Sequence, residues 1–329
     1  MKTIAFFSNR GGVGQTKLVY HLAWMFADMG LNVVAVDLDP QSNLTDMFLE
    51  EDRLVELWPV GTHPLTIQGA VEPILRGTGD IQAPHVEAIT DRIGLVVGAF
   101  GLVDFEEKLS EAWSKFNGDD ESAFHIVTAF SRLFRFAAER READLVLVDT
   151  GPNLASVNQS ALIASQNVVI SVAADLFSLE GLRHLGPKLE AWRELRKSSP
   201  TPDLSLPPAP MRPVGYVVMH RAPRSHRPVK EYLHWMHSIP GKYRESILRE
   251  PGADYLSLED DPYCLAAPTH YRSLAQMATE ARKPMFFLKP ADGAIGAHGE
   301  AVRDCYRDFK ALAERILTAV EFRPTSDPA

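Results

Sequence analysis

Thr3-Ile4-Ala5-Phe6-Phe7-Ser8-Asn9-Arg10-Gly11-Gly12-Val13-Gly14-Gln15-Thr16 decides the architecture of this 329-residue chain. Residues 3–8 are an apolar run of strand length, broken by the glycines at 11, 12 and 14. Beyond them Leu18, Leu22, Phe26 and Met29 recur at three or four, the period of an amphipathic helix that Gly30 terminates. A strand passing through a glycine-rich turn into a helix turns free backbone N–H groups and the positive end of the helix dipole toward one point, which favours an anion. Glycines let the backbone wrap closely, and Thr16 places a hydroxyl where a phosphate-binding loop holds Mg²⁺. An ordinary βα turn also suits this string alone, so the rest of the chain must decide.

Outward from the loop, short aliphatic runs alternate with helical periods. Strands are expected at 33–37, 93–97, 144–149, 168–172 and 214–219, with helices between them. This is the pattern of a single doubly wound α/β domain, its mostly parallel sheet covered by helices on both faces. Six prolines between 198 and 213 read as a surface connection, because proline neither pairs in a central strand nor continues a helix. The last helix is expected over 293–320, with Val302, Cys305, Phe309, Leu312, Ile316 and Val320 on a docking face. One domain thus runs over 1–322, followed by a polar tail at 323–329. Trp113, Phe116, Phe124, Phe130, Phe134 and Phe136 sit at helical spacing and read as core.

Composition narrows the function. Apolar residues at 45% and charged residues at 23% belong to a globular chain and exclude collagen-like, low-complexity or wholly disordered classes. Cys264 and Cys305, the two cysteines, furnish neither a disulfide framework nor a metal cluster, so a reducing cytoplasm is the expected location. The first apolar run is too short for a signal peptide or a membrane span. A net charge of −9 repels phosphate on average, so any nucleic-acid contact requires a local basic patch. One such patch exists: Arg221, Arg224, Arg227 and Lys230 recur every three residues, which an extended segment would present on one side. A solvated loop before a helix explains it equally well.

Two further segments carry carboxylates to strand ends, where open α/β sheets bind ligands. Val36-Asp37-Leu38-Asp39-Pro40-Gln41-Ser42 closes the second strand, and Leu147-Val148-Asp149-Thr150-Gly151-Pro152 closes a later one. Asp175-Leu176-Phe177-Ser178-Leu179-Glu180-Gly181-Leu182 follows the next. With the glycine loop, these segments resemble the ParA/MinD family of deviant Walker A P-loop ATPases, in its ParA branch, over nearly the whole chain.

The resemblance implies ATP and Mg²⁺ as cofactors. It implies that Gly11, Gly12, Val13 and Gly14 cradle phosphates, that Thr16 binds Mg²⁺, that Asp39 orients the attacking water, that Asp37 supports the metal region and that Asp149 holds Mg²⁺ through water. It places His220 and Arg221 near the adenine and Pro284 in a segment lining the base. It further implies an ATP-dependent homodimer that binds DNA without sequence preference, and a partner protein that regulates turnover.

Two positions depart from the family, which carries lysine at both. Arg10 keeps the charge that crosses to a partner's phosphates, though a planar guanidinium does not reproduce an ammonium. Gln15 keeps only a neutral donor, and losing one charge-assisted bond to phosphate costs about 1.5–3 kcal/mol. Hydrolysis should suffer more than binding, since the missing charge also serves the transition state. Lys17 stands nearby as a partial substitute. Two functions are therefore expected in competition: a ParA-like switch with weakened hydrolysis, located in the cytoplasm or on the nucleoid, and a degenerate nucleotide-binding scaffold. A charge-balanced final helix disfavours a MinD-like membrane role, and the missing cysteine pair disfavours an iron–sulfur reductase.

Overall fold

The computed structural model describes residues 1–58, 63–116, 120–197, 206–207, 209–219, 229–250, 256–267 and 271–323. Among the described residues, eight strands form its sheet: β1 (Lys2–Phe7), β2 (Val33–Asp37), β3 (Glu87–Ala88), β4 (Ile93–Val96), β5 (Leu145–Asp149), β6 (Asn167–Ala173), β7 (Arg212–Met219) and β8 (Cys264–Ala266). Their spatial order is β3-β4-β2-β5-β1-β6-β7-β8, and all neighbours run parallel except β3 against β4. From β1 the chain crosses over β5 to β2, and from β5 it crosses over β1 to β6. The carboxyl ends of β1, β5 and β6 therefore flank the point where the winding reverses, the usual ligand crevice of such sheets.

The described α-helices are α1 (Gln15–Asp28), α2 (Asn43–Phe48), α3 (Glu51–Leu57), α4 (Ile67–Arg76), α5 (Leu102–Lys115), α6 (Glu121–Val127), α7 (Ala129–Arg141), α8 (Ser156–Ala164), α9 (Leu176–Lys197), α10 (Val229–Tyr243), α11 (Arg272–Ala281) and α12 (Ala297–Ala319), the last two following β8. The strands are apolar on both faces because each face is covered, as parallel sheets require. Alternation assigns the residues to two cores. Ala5, Phe7, Val146, Val148, Val168 and Ile170 face α4 to α9, whereas Ile4, Phe6, Leu145, Leu147 and Val169 face α1 and α12. The aromatic helices pack as expected: Phe105, Phe130 and Phe134 are fully buried with ring centroids 5.6–6.1 Å apart, and Trp113 Nε1 donates to Ser160 Oγ at 3.0 Å.

Two expectations need correction. Arg212 and Pro213 belong to β7 rather than to the proline-rich connection. Proline is tolerated there because it sits at the strand's start, where the register against β6 shifts at Val168/Val169. The last helix begins after Gly296, not at 293, since Gly293 and Gly296 both take positive φ. The short strands β3 and β8 were not anticipated. Residues 198–205 and 208 of the expected connection, and 324–329 of the tail, lie outside the described residues.

Candidate functional site

The loop from β1 to α1 turns on Gly12 and Gly14, with φ of 70° and 102°. A side chain at Gly14 would be strained in that conformation, and its Cβ would lie 3.2 Å from Met219 at the end of β7. No side chain caps the α1 N-terminus, and its first turn holds no acid. The helix therefore keeps its donors and positive end available to an anion. Val13 is buried, Gly11 and Gly12 are exposed, and Thr16 is half-buried.

Gln15 turns inward. Its Nε2 donates to Asp149 Oδ1 at 2.8 Å and to the Thr150 carbonyl at 2.9 Å, while its Oε1 and Asp149 Oδ2 are buried without a hydrogen-bond partner. Two buried acceptors thus lie side by side without a donor. Asp37 and Asp149 face each other in register on β2 and β5, both fully buried. Asp37 Oδ2 accepts the Thr45 N–H and hydroxyl, each at 2.8 Å, and Asp37 Oδ1 accepts the Asp39 N–H at 3.2 Å. Asp39 is half-buried and accepts the Gln41 N–H at 3.0 Å. Burial, with Asp149 and Asp39 nearby, pushes Asp37 well above the usual carboxylate range. Burial likewise pushes Asp149 up, with the Asp39 charge adding and hydrogen bonds from Gln15 and Thr16 opposing.

These features fit a metal–nucleotide pair. The glycine turn and bare helix end suit phosphate, and Asp149 Oδ2 and Thr16 offer hard oxygen donors. Among the described residues, no group of three or more His, Cys, Asp or Glu is placed to hold a metal by itself. A cation here would need phosphate oxygens as well, which is the habit of Mg²⁺.

Arg10 pairs with Asp175 at the end of β6 and lies over the Phe177 ring. Sequence reasoning quoted this segment but gave Asp175 no role; its strand-end position was the available signal. Asn158 was also missed. It braces the Asp149 loop by accepting the Gly151 N–H at 3.0 Å and donating to the Gly151 carbonyl at 2.9 Å.

Lys17 is exposed and borders a cavity of about 120 Å³ with Tyr20, Met47 and Arg282. Pro284 lines a neighbouring cavity beside Trp24 and Phe287. His21, which also lines the first cavity, contacts the Lys17 carbonyl through Nδ1 at 2.6 Å and accepts the Met285 N–H at Nε2, 3.1 Å away. His220, Arg221, Arg224 and Arg227 lie outside the described residues. Lys230 is in the first turn of α10, and its side chain also lies outside them.

The chain is similar to proteins of known fold. Residues 1–199 match the AAA_31 family, an AAA domain. The chromosome-partitioning ATPase Soj of Thermus thermophilus is 29% identical over 59% of this chain and 63% of its own length. The sporulation initiation inhibitor Soj of Bacillus subtilis is 26% identical over 56% and 63%. Matches to the first curated relatives span between 44% and 63% of their lengths.

Among solved structures, protein DIP2308 of Corynebacterium diphtheriae superposes with a TM-score of 0.70 at 20% identity, covering 97% of this chain and 99% of that one. A putative plasmid partition protein of Borrelia burgdorferi bound to AMPPNP gives 0.58 at 17%, covering 96% and 98%. An ATP complex of a Cyanothece McdA variant gives 0.63 at 14%, covering 99% of both chains. From the family match and the strand-end carboxylates around an uncapped helix, the chain belongs to the AAA_31 family of ParA/MinD-like P-loop ATPases.

Proposed function

We propose that this protein is an ATP- and Mg²⁺-dependent switch of the partitioning or positioning type. Two copies sandwich nucleotide at the sheet rim and engage DNA or a partner protein until turnover resets them. The observation that carries it is the uncapped α1 N-terminus beside the buried Asp37 and Asp149 and the half-buried Asp39. The loop from Gly11 to Gly14 holds phosphate, Thr16 and Asp149 hold Mg²⁺ with Asp37 behind them, and Asp39 orients water. Bound Mg²⁺ supplies charge neutralisation on the phosphates. Arg10 reaches the second copy's phosphates, Lys17 stands near the loop as a partial substitute for the missing charge, and the Pro284 segment borders the base. One domain over 1–322 carries all of this. Its action is placed in the cytoplasm or on the nucleoid; no described helix is long and apolar enough to cross a membrane.

Thr16→Ala should weaken Mg²⁺-dependent ATP binding by about tenfold or more, the loss of one hydrogen-bonding ligand to a charged group. Calorimetry with ATP, with and without Mg²⁺, measures it; equal Mg²⁺-dependent affinity before and after the change would remove the site assignment. Gln15 favours a second reading, a scaffold that binds nucleotide and barely hydrolyses it, because its amide meets Asp149 without bringing a positive charge.

A further inference from the structure

Arg10 has two partners of opposite exposure. Its Nη1 donates to Asp175 Oδ2, and its guanidinium carbon stands 5.4 Å from the centroid of Phe177. Asp175 is 3% exposed, at the junction of β6 and α9, whereas Phe177 in the first turn of α9 is 68% exposed. The other carboxylate oxygen, Oδ1, accepts the Ser178 N–H at 2.9 Å, which fixes the carboxylate to the helix start. A second tie joins the loop to this turn: Asn9 Nδ2 donates to the Phe177 carbonyl at 3.3 Å. A Cβ on Gly181 would collide with Asn9 Nδ2, so a residue without a side chain lets the loop lie against α9.

We infer that Asp175 is a positioning residue: it holds Arg10 in cis in the nucleotide-free chain and sets how much phosphate charge a second copy must present before the arginine crosses. The inference rests on the two-copy reading above. If Arg10 leaves, Asp175 keeps one neutral donor, and a buried carboxylate without its cation is strongly unfavourable. Arg10 therefore departs only for a stronger anion. A triphosphate, with more charge within reach of a forked guanidinium in a desolvated interface, outcompetes the carboxylate where a diphosphate does not. Arginine also suits the resting position, since its edge meets Asp175 while its face covers Phe177. The device thus makes association depend on the γ-phosphate through a residue that touches no nucleotide.

Two measurements on the full chain test it. Phenylglyoxal modification of Arg10, followed by mass spectrometry without nucleotide, should run faster in Asp175→Asn than in the unmodified protein, and faster in Phe177→Ala, an exposed change that leaves the fold intact. Sedimentation velocity with AMPPNP and with ADP should show Asp175→Asn associating about tenfold more tightly with the analogue and newly with ADP, so that the preference for the analogue falls. Asp175→Glu should restore that preference.

Equal modification rates in all three proteins would overturn the cis hold. An analogue-to-ADP preference unchanged in Asp175→Asn, with the unmodified chain associating normally, would reduce Asp175 to a helix cap and overturn the inference alone. Failure of every protein to associate with AMPPNP would overturn the two-copy reading, and the threshold role with it.

Discussion

The two ends of the glycine loop meet buried carboxylates under opposite conditions. At the β6 side, Arg10 brings a full charge to Asp175, whose second oxygen is also satisfied. At the β5 side, Gln15 brings a neutral amide to Asp149 and leaves two buried acceptors, its own Oε1 and Asp149 Oδ2, without donors. Compensation in cis describes a resting position. Missing compensation leaves buried acceptors whose cost a cation or a donor side chain would relieve.

The largest expected effect belongs to a group on neither side of the comparison. His21, one turn beyond Lys17 on α1, is neutral and hydrogen-bonded at both ring nitrogens, and burial pushes its pKa down to about 4. The unfolded chain takes up this proton near pH 6.5 and the native chain does not. The contribution is therefore fully present above about 6.5 and is lost as pH falls toward 4, about 3 kcal/mol in all. Urea unfolding between pH 7 and pH 4 should show it as the difference between the unmodified chain and His21→Gln, because buried Asp37 and Asp149, with raised pKa values, add stability as pH falls in both proteins. Parallel curves for the two proteins would sink the assignment.

Next comes turnover. Gln15→Lys supplies the absent charge beside Asp149 and should raise ATP hydrolysis about tenfold to a hundredfold, with Asp39→Ala abolishing the gain. Rapid hydrolysis by the unmodified chain, insensitive to either change, would mean that another group supplies the charge and that the β5 side is already compensated.

The smallest effect sharpens the contrast most directly. Asp149→Asn removes an uncompensated buried charge and should stabilise the nucleotide-free protein by about 1 kcal/mol, at the expense of Mg²⁺-dependent binding. Asp175→Asn removes a paired charge and should destabilise it by a similar amount, moderated because Arg10 is partly exposed. Thermal unfolding should therefore shift in opposite directions. Shifts of the same sign would erase the distinction between the two ends.

How much of this was legible in the sequence depends on the range of the interactions. The loop and α1 were readable because glycine spacing and a helical apolar period are local signals, and Asp37, Asp39 and Asp149 were readable because hydrophobic runs mark strand ends. The partner of Arg10 was not, since Asp175 lies 165 positions away and meets it only through the order of β1 and β6 in the sheet. Gln15 was legible as a lost charge but not as a donor to Asp149, which requires β5 beside β1. Pro213 misled because its missing N–H argues against a central strand, and the register shift that admits it leaves no mark in composition. β3 and β8, two and three residues long, carry too little periodicity to register.

Those two short strands have a consequence for assembly. They close the sheet at both ends, and β8 is further covered by Arg315 of α12, whose guanidinium donates to the Leu265 carbonyl at 3.3 Å. Edges this brief offer almost no unpaired backbone for another strand to extend. Growth of the sheet into a continuous fibre by strand addition at either edge is thereby discouraged.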